Sequence, residues 1–203
     1  MKTIFKAGLI ALVIYLSIIY IPKLPANAET SKTTEVIATE VLQPDDPPCN
    51  KKLSPGFPNF ITQWKDLIEH NACKRWLNPD LVAGVTWRES KGGTITGGRV
   101  GECNYAGACG PMQVMGRDSI NPKTGRVYMC PNGPCFADRP TMKELAENPE
   151  LNFKWGTKDM LQKINHAGDI KKGLTNYSGG DQLYAQEVLC LSTAKNWNQC
   201  VNR

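Results

Sequence analysis

The stretch TWRESKGG, residues 86–93, places a carboxylate where a helix would bury apolar side chains. Val82, Val85 and Glu89 stand at i, i+3 and i+7 of the run NPDLVAGVTWRES, so on a helix they share one face. An unpaired, ionised carboxylate on that face costs on the order of several kcal/mol, so either a cation neutralises it or its pKa rises and it keeps its proton. Arg88 is a poor partner, because consecutive helical residues point about 100° apart. The residues alone leave two readings open. A neutral acid beside a glycine-rich loop suits general-acid chemistry on a glycosidic bond, and a structural acid bonded to loop amides at a helix end suits the same pattern.

Other reaction centres find little support. The chain has no H-E-x-x-H, no phosphate loop and no G-x-S-x-G, and its SGG and TGG lack the strand-to-helix context of a nucleophile elbow. Both histidines, His70 and His166, lie in polar helical or turn contexts and the thiols are expected to pair, which disfavours Cys–His catalysis. Cys49, Cys73, Cys103, Cys109, Cys130, Cys135, Cys190 and Cys200 form an even set without a C-x-x-C, so disulfides are favoured over zinc. Pairing nearest neighbours gives 49–73, 103–109, 130–135 and 190–200, although eight cysteines allow about 105 connectivities and the sequence does not choose among them. No metal or cofactor is expected.

The elements that must position Glu89 follow from the rest of the 203 residues, enough for one domain with a modest extension. Lys2 and Lys6 precede an apolar stretch, residues 7–21, and PANA supplies small residues at Ala26 and Ala28, so residues 1–28 read as a secretory signal. Left uncleaved, residues 7–21 would be a membrane tether, but the run is short for a span and is broken by Pro22 and Lys23. Residues 29–48 are polar, proline-ended and free of aromatics, the composition of a flexible linker, which leaves 49–203 as the folded domain. Export to the cell envelope agrees with the cysteines. Of 24 basic residues, Lys2, Lys6 and Lys23 fall in the leader, which contains no acid; against 19 acids the remainder carries about +2, a balance that does not call for nucleic acid.

Helical patterns dominate the domain. NFITQWKDLIEHNACKRWL, residues 59–77, sets Phe60, Trp64, Leu67 and Ile68 on one stripe behind Asn59 as a cap. Asn78, Pro79 and Asp80 open the helix that ends at KGG, and Asn148, Pro149 and Glu150 repeat that start signal. Asp169 and Asp181 are expected to cap two more helices, the second carrying Leu183, Tyr184 and Val188. GGTITGGRV, residues 92–100, is expected to form a small hairpin, giving a mainly helical domain with one β-flavoured lobe. The stretches 92–110 and 116–139 are long and irregular, and such loops in a compact domain are usually functional.

The order of four segments then adds a resemblance. RES at 88–90, GACGPMQV ending in Gln113 and Val114, NPELNFKWGTKDML from Asn148, and TNYSGG ending at Gly180 resemble the goose-type lysozyme and lytic transglycosylase superfamily. Its members show an E-S pair at a helix end, G-A-x-G-L-M-Q, an N-x-x-x-G helix and A-Y-N-x-G in the same order. The resemblance implies a disulfide-stapled, lysozyme-like α+β fold with Glu89 as the catalytic acid. Ser90 would support the orientation of Glu89. Asn104, Ala108, Met112, Gln113 and Ser178 would line the sugar groove, and Tyr177 would hydrogen-bond near the glutamate. This sequence departs from the pattern at Pro111, Asn104 and Ser178, where the family often has leucine, serine and asparagine.

The implied substrate is peptidoglycan, cut between N-acetylmuramic acid and N-acetylglucosamine by a monomer. In a lytic transglycosylase one glutamate protonates the leaving oxygen and then accepts the muramoyl C6 hydroxyl proton, leaving a 1,6-anhydro sugar. A goose-type lysozyme hydrolyses the same bond with a second acid. Val114, Met115 and Gly116 follow the glutamine here, so Glu102 is the candidate second acid and Asp118 a weaker one. A secreted glycan-binding or assembly protein that keeps the fold without turnover is the reading from a different class.

Overall fold

Asn78, Pro79 and Asp80 start the Glu89 helix as their types require. In the computed structural model, which describes residues 50–193 and 198–201, the Asn78 side chain accepts from the Asp80 amide and the helix runs Pro79–Ser90. The signal, the linker and Cys49 lie outside the described residues. Along the chain the elements are α1 (Asn59–Thr62), α2 (Lys65–Cys73), α3 (Pro79–Ser90), then three two-residue hairpin pairs, β1 (Ala108–Cys109) with β2 (Val114–Met115), β3 (Ile120–Asn121) with β4 (Arg126–Val127) and β5 (Met129–Cys130) with β6 (Gly133–Pro134). Five helices follow: α4 (Met142–Glu147), α5 (Pro149–Ala167), α6 (Ile170–Tyr177), α7 (Gln182–Thr193) and α8 (Asn198–Val201). The described domain is mainly helical, with small antiparallel hairpins and disulfides.

The expected caps of the later helices are present. Asn148 accepts from Leu151 N, Asp169 from Lys172 N, and Asp181 from Leu183 N and Tyr184 N. The stripe over 59–77 is not one helix. It breaks between α1 and α2, where the Gln63 and Trp64 side chains both donate to the Gly92 carbonyl, and Pro58 rather than Asn59 stands at the cap position. Residues 92–100 contain no strand. The Ser90 carbonyl accepts from the amides of Gly93, Thr94 and Ile95, which curls the segment into turns instead of a ladder. Helix α4 lies outside the helices expected from the sequence, although Thr141 and Glu144 form a reciprocal capping box that is written there as T-x-x-E.

The core is built where α3 packs on α7 and α2, and α5 packs on α6 and α2. Val82, Val85, Ile68, Phe153, Leu174 and Val188 are fully buried in it. At Gly84 an added Cβ would sit 3.1 Å from the Val188 carbonyl oxygen, so α3 and α7 approach closely there. Disulfides join Cys103 to Cys109, Cys130 to Cys135 and Cys190 to Cys200, as nearest-neighbour pairing expects. The 49–73 pairing involves Cys49, outside the described residues. Disulfides accord with an oxidising, extracytoplasmic compartment. Among the described residues no helix is long and apolar enough to cross a membrane.

Candidate active site

Glu89 sits one residue before the end of α3, on the face of the buried Val82 and Val85, and is itself half-buried. The helix stops because Lys91 turns left-handed, at φ 51°, and Gly92 follows at φ 69° against the Phe60 carbonyl. One carboxylate oxygen, Oε1, accepts a 2.7 Å hydrogen bond from the Tyr184 hydroxyl of α7. Burial pushes the Glu89 pKa up to about 7, against the opposing pull of the Tyr184 hydrogen bond and the Arg88 charge. The neighbouring arginine does not pair with it. Arg88 reaches the other way, to Glu187 at 2.9 Å and Asp181 at 3.4 Å, and its guanidinium lies over the Tyr184 ring.

Ser90 joins α3 to the glycine-rich segment. Its hydroxyl lies 2.7 Å from the Pro111 carbonyl and accepts from Gly93 N, while Gly98 packs where any side chain would strike Ser90. From Pro111 the network continues through backbone. Met112 N donates to Asn152 Oδ1 on α5, and Met112 O accepts from the Tyr177 hydroxyl at the end of α6. Asn152 makes three bonds in all, since its Nδ2 also donates to the carbonyls of Cys109 and Leu145. Gly156, one turn on, leaves room for Met112, for a Cβ there would lie 2.7 Å from Met112 Cβ and Sδ.

Gln113 occupies a left-handed position, φ 48°, and its amide is held from three sides. Nε2 donates to the Gly97 and Gly110 carbonyls, and Oε1 accepts from Asn104 Nδ2. Asn104 Oδ1 in turn accepts from Ala106 N and Ala108 N, which fixes the turn closed by the Cys103–Cys109 disulfide. Ala108 is buried in β1.

The expected site residues therefore gather, but several act differently from what the resemblance implies. Met112 is fully buried, so its side chain is a core group and not a groove lining. Tyr177 bonds the Met112 carbonyl, and the tyrosine on the glutamate is Tyr184, which lies 6.4 Å from Tyr177 between ring centroids. Burial, then the Glu89 charge, raise both tyrosine pKa values far above the ordinary phenol, so both hydroxyls stay protonated donors. Ser178 closes the α6 terminus, donating to the Thr175 carbonyl and accepting from Asp181 N. Glu102 is engaged on both oxygens, by Gly97 N at 2.9 Å and by Arg99 at 3.5 Å, and Asp118 accepts from Met142 N at the start of α4.

Sequence reasoning missed Tyr184 and Asn152. Tyr184 carries the same signal as Glu89: it shares a stripe with Val188 at i+4, and a buried phenol needs a partner. Asn152 stands in the first turn of α5, where Asn148 already fills the cap position, so the helix has no use for its amide's bonding groups. Among the described residues no group of three or more His, Cys, Asp or Glu side chains could hold a metal ion. No family model, curated protein or solved structure matches this chain.

Proposed function

We propose that this chain is a peptidoglycan-cleaving lytic transglycosylase with Glu89 as its general acid and base. One observation carries the reading: the four motif segments, distant in sequence, meet in one hydrogen-bonded network at the end of α3. Ser90 reaches Pro111, Met112 reaches both Asn152 and Tyr177, and the acid beside Ser90 is held by Tyr184. A lysozyme-like fold is part of the same proposal.

Glu89 protonates the glycosidic oxygen between N-acetylmuramic acid and N-acetylglucosamine, and the bond from the muramoyl C1 to that oxygen breaks. The substrate's own N-acetyl group supports the electron-poor C1. The carboxylate left behind is stabilised by the Tyr184 hydroxyl, and it takes the proton of the muramoyl C6 hydroxyl as that oxygen closes on C1. The product is a 1,6-anhydro sugar, and no water is consumed. A pKa near 7 suits a group that must give and regain one proton near neutral pH.

The test is mass spectrometry of fragments released from purified peptidoglycan by residues 29–203, with Glu89→Gln alongside. Fragments lighter by one water than reducing-end standards, lost by roughly 100-fold or more in the variant, are the expected result. Reducing ends would make the enzyme a hydrolase and Glu102 the next residue to replace. A folded wild type that binds glycan and releases nothing would leave a glycan-binding protein.

A further inference from the structure

The proposed reaction makes no use of Arg88, although it adjoins the acid and only 24% of its side chain is exposed. Its guanidinium spans the first turns of α7. Nη1 lies 2.9 Å from Glu187 Oε2, Nη2 3.4 Å from Asp181 Oδ2, and Cζ 5.3 Å from the centroid of the Tyr184 ring. Asp181 stands three residues before Tyr184 and Glu187 three after it, so the two acids flank the tyrosine along one side of the helix. Asp181 is itself fixed: Oδ1 accepts from Leu183 N and Tyr184 N, and its amide donates to Ser178 Oγ at the end of α6. Arg88 therefore grips α7 on both sides of the residue whose hydroxyl reaches Glu89 Oε1.

Stability is a weak reason for this arginine. Its Nε is buried and has no hydrogen-bond partner among the described residues, which costs free energy that an apolar side chain would not lose. What the fork supplies is geometry, because one planar group meets two carboxylates and covers the ring between them.

We propose that Arg88 is a positioning residue for Glu89: by clamping Asp181 and Glu187 it sets the Tyr184 hydroxyl on the carboxylate, and through that hydroxyl it governs when the acid releases its proton. The inference rests on Glu89 as the working acid. Few other charges bear on that carboxylate. Tyr177 of α6 is close enough to feel it and stays protonated, and Lys91 lies over the Trp87 ring. On α2, which also packs on α3, Glu69 takes Lys52 and the Leu53 amide, while Lys65, Asp66 and His70 are exposed; α1 has no charged residue. Glu102 is held by Gly97 N and Arg99.

Carbon-13 NMR of the Glu89 carboxyl across pH, in residues 29–203 whose described part closes its own core, reads this proton without any substrate. Arg88→Met and Tyr184→Phe should each raise the titration midpoint by about half a pH unit or more, and the two together by clearly less than their sum, because the arginine acts through the tyrosine. A charge acting only across space would add in full, so additive shifts, or an unmoved midpoint in Arg88→Met, would overturn the proposal. Glu187→Leu, at a side chain 31% exposed, decides the matter should the Arg88 variant fail to fold. It keeps the cation and removes an anion, so charge alone would lower the midpoint, whereas a loosened clamp should raise it; a fall would overturn the proposal. Release of peptidoglycan fragments by Arg88→Met should drop roughly tenfold or more, with the alkaline limb displaced upward as the midpoint is. A wild type that releases no fragments would remove Glu89 as the acid of cleavage, and the carboxyl titrations would still show whether Arg88 places Tyr184.

Discussion

Two tyrosines share the neighbourhood of Glu89 and do different work. Tyr184 donates to the carboxylate, and Tyr177 donates to the Met112 carbonyl and so steadies the loop. Removing the Tyr184 hydroxyl takes away a bond that favours the charged acid, so Tyr184→Phe should move the alkaline limb of the pH–rate profile upward; an unchanged limb would remove Tyr184 from control of the proton. Stability has its own pH signature. The folded acid titrates near 7 and the unfolded one near 4.5, so the native state holds an extra proton between those values. Stability from this group is complete below pH about 4.5 and is lost as pH rises through about 7. Glu89→Gln should flatten that slope and be the more stable protein at pH about 8, by on the order of 2 kcal/mol, as read from denaturant unfolding across pH.

Among the elements, α5 is the bracket that holds the site in place. Asn152 ties down Met112, Cys109 and Leu145, and Gly156 one turn later makes the space Met112 fills. Gly156→Ala gains up to about 1 kcal/mol of helix propensity but drives its methyl into Met112, so a net loss of roughly 1–2 kcal/mol is expected in denaturant unfolding. Peptidoglycan release should fall further than stability, because a displaced Met112 also loses Asn152 and Tyr177 as partners. The helix starts were readable from Asn78, Asn148, Asp169 and Asp181, each of which caps its helix through a side chain two or three residues from its partner. The break at Gln63 and Trp64 was not readable, because its cause is the Gly92 carbonyl, 29 and 28 residues away. Helix α4 was readable from Thr141 and Glu144 and was hidden only by the long proline- and glycine-rich loop before it.

For the molecule as a whole, short disulfides supply much of what a loop-rich lobe lacks in core. The pairs at separations of 6, 5 and 10 residues each restrict the unfolded chain by roughly 2–3 kcal/mol on the chain-entropy account. Together that is comparable with the full stability of an ordinary domain. Reduction should therefore lower the melting temperature steeply, and activity should fall with it because the Cys103–Cys109 turn carries Asn104 onto Gln113. Calorimetry with and without reductant, at fixed pH, checks this; an unchanged melting temperature would assign the stability to the helical core alone.

By itself the sequence determined the helix that carries Glu89, the oddity of an acid on its buried face, the short cysteine spacings and the order of the four segments. All of these depend on residues close in the chain, where capping, periodicity and loop closure act. Only the tertiary structure decided which tyrosine meets the acid, why Met112 is core, and how Asn152 and Gly156 serve the loop. Those contacts join groups about 40 to 95 residues apart. Helix packing sets them, and spacing within one helix does not encode how two helices will meet.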